Sequence, residues 1–385
     1  MFSTILLSVY ATGSMYLFVR GWQSLEILKR QRIWFVAAYF VMALPLLFVR
    51  GLRVNVFSEG FDNVLHIAGY IWLAVLLYGF IFLLIIDILR IFRRIVGFKP
   101  KFIYRNYLRT KFVLFCAVCF LISAIVGAGC INAQFPRTTH LTIHLDKQAG
   151  QMEALRIAMV SDIHLGRIYR RKMLSRIVKN TIITHDPDIV FLVGDIFDGA
   201  PEPVIKNNMG VEFDRLQTIY GKFIAAGNHE RIGQRGQQNP ENPIGTGLTY
   251  LSKHGIKPLL DTTVLIDNSF YVVARKDRSM HPRKTIPELL KDVDRQLPII
   301  LLDHQPYHLE EAEHAAIDLQ LSGHTHHGQL FPLNYITDKI YEKDWGFLQE
   351  GKTYYYISCG AGTWGPPVRT AGYSEVVVID LVFKR

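Results

Sequence analysis

Five short apolar runs in the last two-thirds of the chain each lead into metal-binding residue types, and no other feature constrains the fold as strongly. Leu155-Arg156-Ile157-Ala158-Met159-Val160 leads into Ser161-Asp162-Ile163-His164, and Ile189-Val190-Phe191-Leu192-Val193 into Gly194-Asp195-Ile196-Phe197-Asp198. Phe223-Ile224-Ala225-Ala226 leads into Gly227-Asn228-His229-Glu230. Ile299-Ile300-Leu301-Leu302 leads into Asp303-His304, and Leu319-Gln320-Leu321-Ser322 into Gly323-His324-Thr325-His326. On an extended chain, residues i and i+2 point the same way, so Asp162 and His164 face one point. Taken singly, each piece is weak. Asp-x-His is common by chance, and Gly-Asp and Gly-Asn are ordinary turn signals. Taken in order, they describe strands whose C-terminal ends meet, which is where α/β sheets carry their sites. Two Asp, one Asn and four His are enough for two divalent ions sharing a bridging carboxylate.

Short apolar strands alternate with helical patterns after residue 150, an α/β signature. Strands are expected at 155–161, 189–194, 222–226, 263–267, 270–274, 298–303, 317–321, 353–358 and 375–382. Helices are expected at about 170–184, 244–254, 285–293 and 308–315.

The first third reads differently. Residues 1–135 carry 14 Lys+Arg against 4 Asp+Glu and the remainder carries 29 of each, so the formal charge of +10 lies wholly in the N-terminal part. A uniformly basic chain would suggest nucleic acid. A basic excess confined to loops between apolar runs indicates membrane topology, and no nucleic-acid partner is expected. Four runs approach the length that crosses a bilayer, about 2–19, 33–49, 67–88 and 112–134. The first lacks a basic lead and a small-residue cleavage pattern, so it reads as a retained helix. Arg20, Lys29, Arg30 and Arg32 fall in the first loop. Arg90, Arg93, Arg94, Lys99, Lys101, Arg105, Arg109 and Lys111 fall in the third, and the second balances Arg50 and Arg53 against Glu59 and Asp62. The positive-inside rule puts the first and third loops in the cytoplasm and everything after residue 135 outside it. Asp87 beside Arg90 reads as an interfacial ion pair. Polar residues along one helix face, as a binding cavity would need, are not evident. Cys116, Cys119, Cys130 and Cys359 form neither a disulfide framework nor a metal clip.

The order Asp-x-His, Gly-Asp-x-x-Asp, Gly-Asn-His-Glu, His, Gly-His-x-His resembles the signature of the calcineurin-like metallophosphoesterases, over residues 152–385. The tail Ile357-Ser358-Cys359-Gly360-Ala361-Gly362-Thr363-Trp364-Gly365-Pro366-Pro367-Val368-Arg369 resembles the membrane-associated bacterial branch, similar to transmembrane protein with metallophosphoesterase domain. The branch often has Gly-His-Thr-His-Gly-Gly-Gln, whereas here His327 replaces the first of the two later glycines. The resemblance implies a hydrolase with two divalent metal ions (Mn, Fe or Zn). Asp162, His164 and His326 would hold one, Asn228, His304 and His324 the other, and Asp195 both. Metal-bound hydroxide would attack phosphorus, with Asp195 and His229 catalytic and His229 protonating the leaving oxygen. Asp198 and Glu230 would orient ligands. His327 and Arg369 are candidates for substrate contact, Arg369 weighed evenly against a role capping its loop. Trp364 is read as a pocket wall or, more readily, a core residue.

The expected protein is thus a four-helix transmembrane anchor (1–135), a linker and edge strand (136–151), and a two-sheet α/β/β/α metallophosphoesterase sandwich (152–385). It would be an integral cytoplasmic-membrane enzyme with an extracytoplasmic catalytic domain, cleaving a phosphoester or pyrophosphate bond of a phosphorylated, lipid-linked or cell-envelope substrate. UDP-diacylglucosamine pyrophosphate becomes the candidate if the domain is cytoplasmic. The contrasting reading is a non-catalytic metal-binding receptor or scaffold, which the filled ligand positions and His229 disfavour.

Overall fold

The computed structural model describes residues 2–51, 59–98, 100–169, 171–233 and 245–385. Arg53 and Lys99 of the basic loops, and Arg170 and Ile244 at the starts of two expected helices, lie outside them. The chain divides into two compact units. One is Met1–Cys130 with Gly365–Val368, and the other is Ile131–Trp364 with Arg369–Arg385.

The first unit is helical: α1 Phe2–Ser24, α2 Ile33–Gly51, α3 Glu59–Ile95, the short α4 Lys101–Arg105, and α5 Tyr107–Gln134. Large apolar side chains point outward, among them Val41 and Phe120, each 72% exposed. Such surface is costly in water and suits lipid. Close packing depends on small residues. A Cβ on Gly69 of α3 would lie 2.7 Å from the backbone nitrogen of Leu46 in α2, so only glycine lets these backbones meet. Helices cover all four apolar runs. Among the described residues, Gly60–Ile95 and Tyr107–Gln134 are long and apolar enough to cross a membrane.

The second unit contains two six-stranded sheets. The first has the order β1-β12-β2-β3-β4-β5, built from β1 Arg137–Leu145, β2 Ala154–Val160, β3 Ile189–Val193, β4 Lys222–Ala225, β5 Ile256–Leu259 and β12 Glu375–Phe383. The second has the order β10-β11-β9-β8-β7-β6, built from β6 Thr262–Ile266, β7 Phe270–Ala274, β8 Ile299–Leu302, β9 Leu319–Ser322, β10 Gly346–Glu350 and β11 Thr353–Ile357. β2, β3, β4 and β5 run parallel, as do β7, β8, β9 and β11. Side chains of both sheets, including Ile157, Phe191, Val272 and Ile300, form one buried layer. Leu174, Ile177 and Leu251 cover the outer face of the first sheet, and Leu289, Leu309 and Ala312 that of the second. This is why β3 and β8 are apolar at every position: strands covered on both faces have no wet side.

Two strands have no counterpart among those expected. β5 contains Pro258, tolerated because it is the edge of its sheet, and β10 is a half-exposed hairpin edge. The helix expected at 170–184 is α6 Arg171–Ile177, followed by a π turn and a 3₁₀ turn that ends with Asp186 at φ 46°. Parallel strands in each sheet direct their C-terminal ends toward one region, and the polar residues of the sequence lie there.

Candidate metal centre

Asp162 and His164 follow β2, Asp195 follows β3, Asn228 and His229 follow β4, His304 follows β8, and His324 and His326 follow β9. Backbone bonds tie these ends together. The Asp162 N–H donates to the Gly194 carbonyl at 3.0 Å, and that of Gly323 to the His304 carbonyl at 2.8 Å. Asp162, His164, Asp195, His324 and His326 have φ values of 51°, 53°, 52°, 74° and 51°. This left-handed region costs a side-chain-bearing residue about 1–3 kcal/mol, and clusters of such residues mark sites where function sets the geometry. Glycine supplies the remaining space. A Cβ on Gly227 would lie 2.2 Å from Asp195 Oδ1, and one on Gly323 would lie 2.3 Å from Asp162 Oδ2.

The donor atoms converge. Three groups, Asp162–His164–His326, His164–Asp195–His229 and Asp195–His304–His324, each place one ligand-type atom per residue within 4.8 Å of one another. His304 Nδ1 donates to the Val193 carbonyl at 2.8 Å, so the ring presents Nε2, 3.3 Å from Asp195 Oδ2. His326 Nε2 is 3.4 Å from Asp162 Oδ1 and 3.0 Å from His164 Nε2. Two acceptor-capable nitrogens do not face one another at that distance without a proton or cation between them. His304 Nε2 and Asn228 Oδ1 are buried without a hydrogen-bond partner. Buried polar atoms of folded proteins are otherwise almost always paired. The site therefore fits a divalent cation, with the mixed nitrogen and oxygen donors that borderline metals take.

Electrostatics agree. Burial by itself would depress His304, but Asp195 and Asp162 outweigh it and hold the imidazole well above its ordinary range. Burial likewise opposes, and Asp198, Asp195 and Asp162 overcome, to raise His164. This is the potential of a cation site. At the other edge, burial and then His304 bring His324 down to about 4, and burial and then His164 put His326 well below its usual range. Both are neutral imidazoles, the form that binds metals.

Other side chains stand around the donors. The buried Glu230 carboxylate accepts from the backbone N–H groups of Asp195, Ile196, Phe197 and Gly227 at 2.9, 2.8, 3.3 and 2.7 Å, clamping the ends of β3 and β4 together. Burial and the charge of Asp195 push it up to about 7. Asp198 Oδ1 lies 3.6 Å from His164 Nδ1. His229 is half-buried, its N–H donates to Asp195 Oδ1 at 2.8 Å, and its ring stands edge-on to His164 at 4.6 Å. Burial, then His164, lowers its imidazole. His327 Nδ1 pairs with Asp344 Oδ2 at 2.8 Å and its ring lies against Trp345. Arg369 is fully buried, with Nη1 donating to the His326 carbonyl and Nη2 to those of Cys359 and Gly362 at 3.0, 2.9 and 2.7 Å. A guanidinium committed to three carbonyls presents no face to a phosphate, so Arg369 caps its loop. Trp364 is 54% exposed and is not a core residue. Asp344 and Tyr341, whose ring stands edge-on to His324 at 6.3 Å, escape sequence reading because they lie in a segment without motif or period.

Two α/β sheets thus bring two carboxylates and at least four imidazoles together, the donor types of a divalent-metal site. The calcineurin-like phosphoesterase family model matches residues 155–328, and the chain belongs to that family. A metallophosphoesterase of Aquifex aeolicus (strain VF5) is 34% identical over 271 residues, 68% of this chain and 97% of that one. One from Campylobacter jejuni is 32% identical over 242 residues, 60% of each chain. A Danio rerio transmembrane protein with metallophosphoesterase domain is 29% identical over 270 residues, 68% of this chain and 61% of its own. The chain thus spans about three-fifths of the Campylobacter and Danio relatives. The two membrane-length helices, with relatives named for a transmembrane region, indicate membrane association.

Proposed function

We propose that the chain is a membrane-anchored phosphohydrolase using two divalent ions, with residues 1–135 as anchor, 136–151 as connecting segment and edge strand, and 152–385 as the catalytic domain. Asp162, His164 and His326 would hold one ion, Asn228, His304 and His324 the other, and Asp195 would serve both. The observation that carries this reading is the convergence of two donor groups, Asp162–His164–His326 and Asp195–His304–His324, with Asn228 Oδ1 and His304 Nε2 buried and unpaired.

When bound, the ions supply Lewis acidity, neutralising charge on the phosphoryl oxygens and bringing a water's pKa toward neutrality. The rest is work of the chain. Glu230 fixes the backbone at Asp195 and Gly227, and Asp198 stands at ion-pair distance, 3.6 Å, from His164 Nδ1. His229, half-buried with its ring edge-on to that of His164, would carry a proton to the leaving oxygen. His327, replacing a glycine, would narrow the approach or add a substrate contact. The basic first and third loops support a catalytic domain outside the cytoplasm. An anchored site meets membrane-borne substrates at high effective concentration, which favours a lipid-linked or cell-envelope phosphoester or pyrophosphate.

The test is hydrolysis of bis-p-nitrophenyl phosphate and p-nitrophenyl phosphate by the full chain in detergent with Mn²⁺, with bound metal counted in parallel. Asp195→Asn should lose both turnover and metal. His229→Ala should keep its metal and lose about 10²–10⁴-fold in kcat. A His229→Ala protein that turns over like the parent would remove the acid role, and Asp195→Asn with full metal content would remove the shared ligand.

A further inference from the structure

The helices of the first unit form a cleft of about 610 Å³, lined by residues of α1, α2, α3 and α5. Its walls are mainly apolar, with Tyr39, Trp72, Phe115 and Val126 among them, whereas Arg20, Arg90 and Lys111 line one end. It follows α5 from Tyr107 to Cys130. From Lys111 to Cys130 the helix climbs about 28 Å at 1.5 Å per residue, nearly the thickness of a bilayer's hydrocarbon core.

The charged end has cations to spare. Asp87 is the acceptor for both Arg20 and Arg90, the latter at 3.2 Å, so two guanidiniums share one carboxylate. Lys111 pairs with Glu26 at 3.0 Å, but the glutamate side chain is 54% exposed while that of Lys111 is only 12% exposed. Three cations against two carboxylates leave a net positive charge, with N–H donors uncommitted. Lys29 and Arg30 follow in the adjoining segment, and Arg32 lies over the ring of Trp22 at 4.1 Å, an arrangement suited to a membrane–water boundary. An apolar slot of membrane length is filled by hydrocarbon, because close packing is what holds helices together in lipid. A surplus cation at its mouth selects an anionic head.

We propose that this cleft binds one anionic diacyl phospholipid, its acyl chains between α3 and α5 and its phosphate at Arg20, Arg90 and Lys111. The inference rests on the membrane reading given above and is independent of catalysis.

Gly127 of α5 lines the cleft, and a Cβ there would meet no heavy atom within 4 Å, so Gly127→Phe fills the slot without a clash at the helix. The full chain is purified in dodecyl maltoside, stripped of lipid, and titrated with dioleoyl phosphatidylglycerol or dioleoyl phosphatidylcholine. Native mass spectrometry counts the lipid retained, and circular dichroism checks that helix content is preserved. One phosphatidylglycerol should bind per chain about tenfold tighter than phosphatidylcholine, as one or two cations at the head would give. Lys111→Gln should reduce that preference about fivefold, and Gly127→Phe should weaken both lipids. Equal retention of the two lipids, or a Gly127→Phe chain that keeps phosphatidylglycerol like the parent, overturns the site. Separation in Triton X-114 tells the two failures apart. A chain that partitions into detergent yet retains no lipid sinks the cleft proposal alone, whereas one that partitions into water sinks the membrane reading with it.

Discussion

At the scale of single residues, the metal centre depends on atoms that are absent as much as on those present. Gly227 precedes Asn228, and a Cβ there would come within 2.2 Å of Asp195 Oδ1 and 2.6 Å of the Asp195 backbone nitrogen. Neither partner can withdraw, because Glu230 holds both the Asp195 and the Gly227 N–H groups. Gly227→Ala should therefore displace Asp195 from the point where its donors meet. We expect on the order of 10–100-fold weaker metal binding and a matching fall in turnover, the range seen when the support of a ligand is lost. Metal titration with a fluorescent competitor checks this, and a variant with unchanged affinity would show that the loop relaxes. The residues that the fold gathers here were legible in the sequence because each stands at the end of an apolar strand, where spacing and order survive without coordinates. For Arg369 the sequence left substrate contact and loop capping evenly balanced, and only the fold reveals three carbonyls converging on it.

Between elements, a carboxylate does what hydrophobic contact alone would not. Glu212, in the 3₁₀ segment Met209–Arg215, accepts from Arg171 Nε at 2.8 Å and Arg215 Nη1 at 2.9 Å, tying that segment to α6. Burial would raise its carboxyl, but the bonds from Arg171 and Arg215 outweigh this and hold it below the ordinary range. A depressed acid contributes stability that is present above its unfolded value near about 4.3 and is lost as pH falls through the folded value. Glu212→Gln removes this contribution. Its melting temperature should start lower than the parent's at neutral pH, and the gap should close as pH falls from 5 to 3. Parallel curves for the two proteins would show that the carboxylate is not what α6 responds to. Elements of this kind were the least legible part of the chain. β5 and β10 went unseen because one contains a proline and the other has a half-wet, polar composition, and tertiary pairing overrides both signals. The helix expected at 170–184 showed apolar period enough to be found, but its π and 3₁₀ turns arise from packing that periodicity does not encode.

At the scale of the whole chain, the question is where the catalytic unit begins. Charge and hydropathy put the boundary near residue 135, yet bonds within the second unit begin earlier. Asn132 Nδ2 donates to the carbonyls of Arg369 and Gly372 at 3.1 and 2.9 Å, and the Ala133 carbonyl accepts from Tyr169 at 3.3 Å. Arg369 also carries the loop of His326, so the last turn of α5 supports the metal centre through the backbone of its cap. A piece covering 131–385 keeps these bonds, and one covering 136–385 leaves the Arg369 and Gly372 carbonyls without them. At about 1 kcal/mol for each net bond, the shorter piece should be less stable by about 2–3 kcal/mol. For a domain of this size that lowers the melting temperature by about 5–10 °C. Asn132→Ala in the longer piece should reproduce much of the loss, and calorimetry on the three proteins, each loaded with Mn²⁺, measures it. Equal melting of the two pieces would place the boundary where the sequence alone puts it. A lower value for the shorter piece would show that the end of the membrane helix is built into the catalytic unit.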